Sequence, residues 1–242
     1  MTRYARVEIN NVPCLQSFPT GPDPSTVIVC CHGQGGSIER WTTHASALVD
    51  GGWNVLIPEL PGHGQRCEPG LDVGGDISML RYLQIVDQAA LELSGIADAV
   101  LRRFNGSTIV FLGHSIGAEI ALLAATRNRI VRHIMAIATV VSDPVWAGPT
   151  SPWEGADTPS FEEALRAITI IDRPHLLDGR NIRFIHGLAD ADAPISEVTS
   201  LLDALGTTCN AELVVHDGTH DVSADVMLLV SVELRRLLNI TL

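Results

Sequence analysis

A serine hydroxyl attacks a carbonyl only when a neighbouring base takes its proton and a third group steers that base. The chain carries residues of these three types in a usable order. Ser115 is the centre of Gly113-His114-Ser115-Ile116-Gly117, a G-x-S-x-G. Before it, residues 108–112 are β-branched, aromatic or aliphatic and read as a strand buried on both faces. After it, residues 118–125 are almost wholly apolar helix formers. At such a junction the motif is a nucleophile elbow, a turn too tight for side chains at either glycine that lifts the serine oxygen clear of the sheet. It also aims the positive end of the new helix at charge developing beside that oxygen. A lone match of this kind arises readily by chance, and the flanking strand and helix are what make it specific. Downstream, His186-Gly187-Leu188-Ala189-Asp190 follows a second strand pattern, and Asp217-Gly218-Thr219-His220 follows a third. Elbow chemistry in the order Ser, Asp, His therefore assigns Ser115 as nucleophile, His220 as general acid/base and Asp190 as the group that orients it.

These residues meet only if the strands that carry them run side by side. The hydrophobic period alternates between strand and helix along the chain. Residues 4–18 read as an opening hairpin with Asn10-Asn11 at its turn. Strands are expected at 26–31, 53–58, 108–112, 133–141, 182–186 and 211–215. Helices are expected at 41–49, at 77–104 as one helix or two broken near Ser94-Gly95, after the elbow, at 196–205 before Gly206, and at the C-terminus from Val226 through Leu237. Repeated βα units require right-handed crossovers and a mostly parallel sheet covered on both faces. The carboxyl ends of its strands then share one rim, where Ser115, Asp190 and His220 would sit.

Composition excludes several other functions. A chain of 242 residues, 46% hydrophobic and 18% charged, is long enough for one sizeable α/β domain and too apolar to be disordered. All 16 basic residues are arginines, and the net charge of −12 disfavours nucleic acid and anionic membranes. The longest apolar run, 134–141, is too short to span a bilayer. The first residues carry Arg3, Arg6 and Glu8 without an apolar block, so no signal peptide is expected, and the five cysteines form no C-x-x-C, so reduced thiols in the cytoplasm are expected. Neighbouring Cys30 and Cys31 should point to opposite faces of their strand. No His, Cys, Asp or Glu set has zinc spacing, and the chemistry calls for no cofactor.

Taken jointly, His32-Gly33-Gln34-Gly35-Gly36, Gly62-His63-Gly64, the elbow, His186-Gly187 with Asp190 and Pro194, and Gly218 with His220 resemble the α/β-hydrolase superfamily over nearly the whole chain. The resemblance implies a three-layer fold with an eight-stranded, mostly parallel sheet, and one domain over residues 1–242. It also implies an oxyanion hole made of the backbone N–H groups of Ile116 and Gln34. Spacing from His186-Gly187 favours Asp190 over Asp192, with Asp143 a rival because some members carry the acid one strand earlier. Histidines 32, 63 and 186 each precede a glycine, His114 follows one, and all four are expected to hydrogen-bond within loops.

Residues 143–179, between two strands, form the expected cap. Ser160-Phe161-Glu162-Glu163 reads as a capping box, followed by Phe161, Leu165 and Ile168 on one face of a short helix that ends before Pro174. Trp146 and Trp153 are candidate walls of a substrate pocket, or simple packing of the cap. Arg66, where many relatives carry serine, would bind a substrate carboxylate or make a structural ion pair. The expected activity is hydrolysis of small or medium carboxylic esters. An aminopeptidase, amidase or thioesterase would use the same three residues, and a non-catalytic binding protein on this fold would need none of them. The expected partner is a small-molecule ester, and the short edge strands leave room for a homodimer.

Overall fold

A computed structural model describes residues 4–17, 26–67, 78–104, 107–142 and 151–240. Asn10 and Asn11 both take positive φ, 51° and 65°, and turn β1 (Tyr4–Ile9) back onto β2 (Val12–Ser17). This is the hairpin and turn expected, since asparagine tolerates the left-handed region. Then follow β3 (Thr26–Cys31), α1 (Ile38–Asp50), β4 (Asn54–Pro58), α2 (Met79–Arg103), β5 (Thr108–His114), α3 (Ile116–Arg127) and β6 (His133–Ile137). The chain continues through α4 (Pro159–Ile168), β7 (Asn181–Gly187), α5 (Ile195–Leu205), β8 (Asn210–His216) and α6 (Ala224–Leu237). The eight strands lie in the order β1-β2-β4-β3-β5-β6-β7-β8. Only β1–β2 and β2–β4 pair antiparallel; β3 to β8 run parallel.

The alternation of side chains along a strand builds the two flanking layers. On β5, Ile109 and Phe111 join the core beneath α2 to α5, whereas Val110 and Leu112 join the core beneath α1 and α6. Cys31 and Cys30 divide the same way, and all five cysteines are free. β5 is thus buried on both faces at the middle of the sheet, and the elbow sits at its carboxyl end.

Two expectations need correction, and one alternative is decided. The strand expected over 133–141 stops at Ile137. Ala138 has φ 47°, and Ser115, which turns β5 into α3, takes the Ile137 carbonyl with its own N–H at 2.9 Å. Beyond that point β6 has no neighbouring strand on this side, so the remaining apolar residues, Ala138 to Val141, form a buried loop; periodicity alone does not separate the two. The capping box at Ser160 is displaced two residues: Thr158 is the N-cap, its hydroxyl accepting the Phe161 N–H, with Pro159 at the first helical position. A proline preset for that position fixes the start of the helix. Residues 79–103 form one helix without a break at Ser94-Gly95, the Gly95 carbonyl accepting from the Asn10 side chain at 2.8 Å. Residue 77 of that expected helix lies outside the described residues. Among the described residues, no helix is long and apolar enough to cross a membrane.

Candidate active site

Ser115 sits between β5 and α3 with φ 56° and ψ −125°, a conformation that costs a non-glycine residue of order 1–3 kcal/mol. Close packing enforces it. A Cβ at Gly117 would lie 2.5 Å from the carbonyl oxygens of both Cys31 and His32, and one at Gly113 would land on the Gly117 carbonyl. The two glycines of the motif are therefore there for contact as well as for turning, and α3 begins directly against the end of β3.

The loop after β7 is shaped by Asp190. Its Oδ1 accepts the backbone N–H groups of Asp192 at 3.0 Å and Ala193 at 2.9 Å, and its Oδ2 accepts Nδ1–H of His220 at 2.8 Å. Burial pushes the Asp190 carboxyl upward, but the bonds from Ala193, His220 and Asp192 outweigh it and hold the pKa below the ordinary carboxylate value. The loops after β7 and β8 are tied together: Leu188 N–H donates to the His216 carbonyl at 2.8 Å and Ala189 N–H to the Gly218 carbonyl at 3.0 Å. His220 then presents Nε2 to Ser115 Oγ at 2.9 Å. With Nδ1–H committed to Asp190, Nε2 is the acceptor, so the serine hydroxyl donates to the imidazole.

A second ring steadies the first. His114 Nε2–H donates to the His220 carbonyl at 2.8 Å, and its own ring stacks on Trp41 with centroids 5.9 Å apart. Burial brings the His114 pKa down to about 4, so it is neutral where Asp190 is charged. The other loop histidines also bond within loops, as expected. His63 Nδ1–H donates to the Pro61 carbonyl at 2.9 Å, leaving Nε2 to accept the Gly35 N–H at 3.2 Å. His32 bonds the Gly33 carbonyl at 2.9 Å, and His186 the Ala193 carbonyl at 2.7 Å.

Ser115, His220, Gln34 and Asp192 all line one cleft of about 670 Å³. Ile116 opens α3, so its N–H is one of the first-turn amides without an intrahelical acceptor. Trp153 is 42% exposed and does not line the cleft; Trp146 and Asp143 lie outside the described residues. Arg66 makes two bonds to the Glu92 carboxylate, at 2.6 and 2.7 Å, and a third to the Glu59 carbonyl. It is committed to structure. Asp190, Asp192 and His220 offer three ligand atoms within 4.8 Å of one another. Both His220 nitrogens are already engaged with Asp190 and Ser115, so the grouping belongs to the hydrogen-bonded line and not to a separate cation site.

Sequence reasoning missed Arg40, Trp41 and His44 on the cleft wall: α1 starts three residues earlier than its apolar period suggested, which takes in Arg40, and that period does not tell that Trp41 and His44 reach the cleft. It also passed over Glu119, fully buried in the first turn of α3. The signal was visible there: one carboxylate in an otherwise apolar helix.

A model of the alpha/beta hydrolase family matches residues 28–233, and the chain belongs to that family. It is 25% identical to the esterase YjfP of Escherichia coli over 217 residues, covering 83% of this chain and 84% of that protein. The fold superposes on that of TT1662 from Thermus thermophilus with a TM-score of 0.77, at 22% identity and 98% coverage of both chains. The Pyrococcus furiosus esterase Pf2001 follows with a TM-score of 0.68 at 19% identity, covering 98% of this chain and 92% of that one. The chain is thus a hydrolase by family.

Proposed function

We propose that this hydrolase cleaves small or medium carboxylic esters through an acyl-enzyme, with Ser115, His220 and Asp190 as its triad. The observation that carries the reading is the continuous line from Ser115 Oγ to His220 Nε2 at 2.9 Å and from His220 Nδ1 to Asp190 Oδ2 at 2.8 Å. Ser115 attacks the ester carbonyl as His220 takes its proton. The imidazolium is stabilised by the charged Asp190, and the oxyanion is met by the backbone N–H groups of Ile116 and Gln34. Losing one such donor typically costs roughly 3–4 kcal/mol of transition-state stabilisation. Collapse of the intermediate expels the alcohol, which receives the proton from His220. Water, activated by the same imidazole, then releases the acid and regenerates Ser115.

A modest substrate size is supported by the wall of the cleft. Val140 is its one aliphatic side chain among the described residues, and none of the described residues of 151–179 lines it. We place the protein in the cytoplasm, a reading supported by five free cysteines, four of them buried. A fluorophosphonate probe followed by mass spectrometry tests the mechanism. One adduct on Ser115, lost in His220→Ala, is expected, together with hydrolysis of 4-nitrophenyl butyrate that falls by several orders of magnitude in Ser115→Ala. Folded Ser115→Ala protein with near-normal turnover would sink the assignment.

A further inference from the structure

The cleft around Ser115 is electrically uneven. Asp192 and Asp221 stand beside His220, whereas the opening turn of α1 brings Arg40 to the loop that carries Gln34, its Nη1 3.4 Å from the Gly35 carbonyl. Arg40 is exposed, and that long contact to a carbonyl is the guanidinium bond it makes among the described residues. Its chain neighbour Glu39 is taken by Arg6 at 2.5 Å. The arginine singled out by the sequence, Arg66, is likewise held by Glu92. Burial lowers the pKa of two of the four imidazoles that line the cleft with Arg40: His44 goes below its ordinary value, and His114 to about 4. The lining beside Arg40 therefore holds one permanent positive charge, with the indole of Trp41 and the hydroxyl of Ser37 next to it.

Resting on the ester-hydrolase reading above, we propose that Arg40 is a specificity residue that selects esters bearing a second, anionic group, a carboxylate, close to the scissile carbonyl. A guanidinium fork matches a carboxylate in two parallel bonds, and Ser37 can add a third donor. A carboxylate monoanion is favoured over a phosphate dianion because Asp192 and Asp221 share the cleft and repel the second charge. The aliphatic poverty of the wall fits the same substrate. It offers little to a long acyl chain and a charged partner to a short dicarboxylic half-ester.

The test compares kcat/KM for 4-nitrophenyl hemiglutarate with 4-nitrophenyl valerate, and for 4-butyryloxybenzoate with 4-nitrophenyl butyrate. The first pair places the anion on the acid part and the second on the alcohol part. In Arg40→Gln the anionic-to-neutral ratio should fall roughly tenfold to hundredfold in one of the pairs, with Arg40→Lys in between. Added salt should lower the wild-type ratio and leave that of Arg40→Gln unmoved. Arg66→Gln, an arginine outside the cleft, serves as control. An unchanged ratio in Arg40→Gln, or an equal fall in Arg66→Gln, overturns the proposal. Preference for 4-butyryloxyphenyl phosphate over the benzoate overturns the choice of carboxylate. If no ester is turned over and Ser115 takes no fluorophosphonate, the hydrolase reading fails instead. Glutarate binding, followed by tryptophan fluorescence since Trp41 lines the cleft, then decides Arg40 alone: binding to wild type lost in Arg40→Gln supports it, and equal or absent binding overturns it.

Discussion

Asp190 and Glu119 both carry buried carboxyl groups close to the Ser115 elbow, yet their pKa values are shifted in opposite directions. Asp190 stands on a loop that folds its own amides inward, so the N–H groups of Asp192 and Ala193 and the ring of His220 all donate to it. Glu119 projects from the first turn of α3 into the space beneath the 138–142 loop. There burial dominates, the Ser142 amide donates at 2.7 Å, and the nearby Glu197 carboxylate adds repulsion; its pKa rises to about 7. Glu197 in turn accepts the Val141 amide at 3.2 Å, so two carboxylates hold adjacent amides of one loop. Burial and donors compete at both: at Glu119 burial and the Glu197 charge outweigh the bonds from Ser142 and Tyr82, whereas at Asp190 the bonds from two amides and the His220 ring outweigh burial. Asp190 stays charged beside an imidazole, and Glu119 keeps its proton to a higher pH than an ordinary carboxyl because it is buried and a second acid stands near it.

The largest effect should separate Asp190 from its neighbour. Asp190→Asn is expected to lower kcat by about 10⁴, because the amide can hold His220 in the wrong tautomer. Asp192→Asn, whose side chain does not meet His220 Nδ1, should cost less than tenfold. Steady-state kinetics on 4-nitrophenyl butyrate reads both, and comparable losses would place the acid wrongly.

Titration sharpens the contrast next. Because the folded pKa of Asp190 is depressed, its contribution is present above its unfolded value and is lost as pH falls through the folded one. Glu119 has the reverse sign. Folded protein keeps this proton that unfolded chain releases near 4.5, so stability declines as pH rises from about 4.5 to about 7 and then levels. The difference of 7 − 4.5 is worth on the order of 3 kcal/mol. Glu119→Gln mimics the protonated form, and its Tm should show a smaller decline than wild type between pH 5 and 8. Parallel Tm curves for the two proteins would remove Glu119 from the account.

The smallest effect concerns Arg66. Its pair with Glu92 is partly exposed, so Arg66→Gln should cost about 1 kcal/mol or less by urea denaturation and leave kcat/KM for neutral esters within twofold. A larger kinetic loss would mean that the bond from Arg66 to the Glu59 carbonyl steadies the site as well as the fold.

Much of the site was legible because its chemistry is written in local patterns. The elbow needs glycines two residues either side of Ser115, and each partner follows a recognisable strand. The β5 and α3 boundaries were readable for the same reason, since turn residues and hydrophobic period are local properties. The end of β6 was not, because it depends on where the neighbouring strand turns away. Nor was the start of α4, because Ser160 and Thr158 both offer a capping hydroxyl, and Pro159 decides between them.

The order of chemical groups, the family, the parallel sheet and the opposite facing of Cys30 and Cys31 were determined by sequence alone, through periodicities and turn residues that act over a few positions. Tertiary structure decided the rest. It brought Asp190 rather than Asp192 to His220, spent Arg66 on Glu92 while leaving Arg40 in the cleft, and shifted the pKa values of Asp190 and Glu119 in opposite directions. Each of these depends on which donors, acceptors and charges arrive from distant segments, and electrostatic energy is set by those neighbours in space and not by neighbours in the chain.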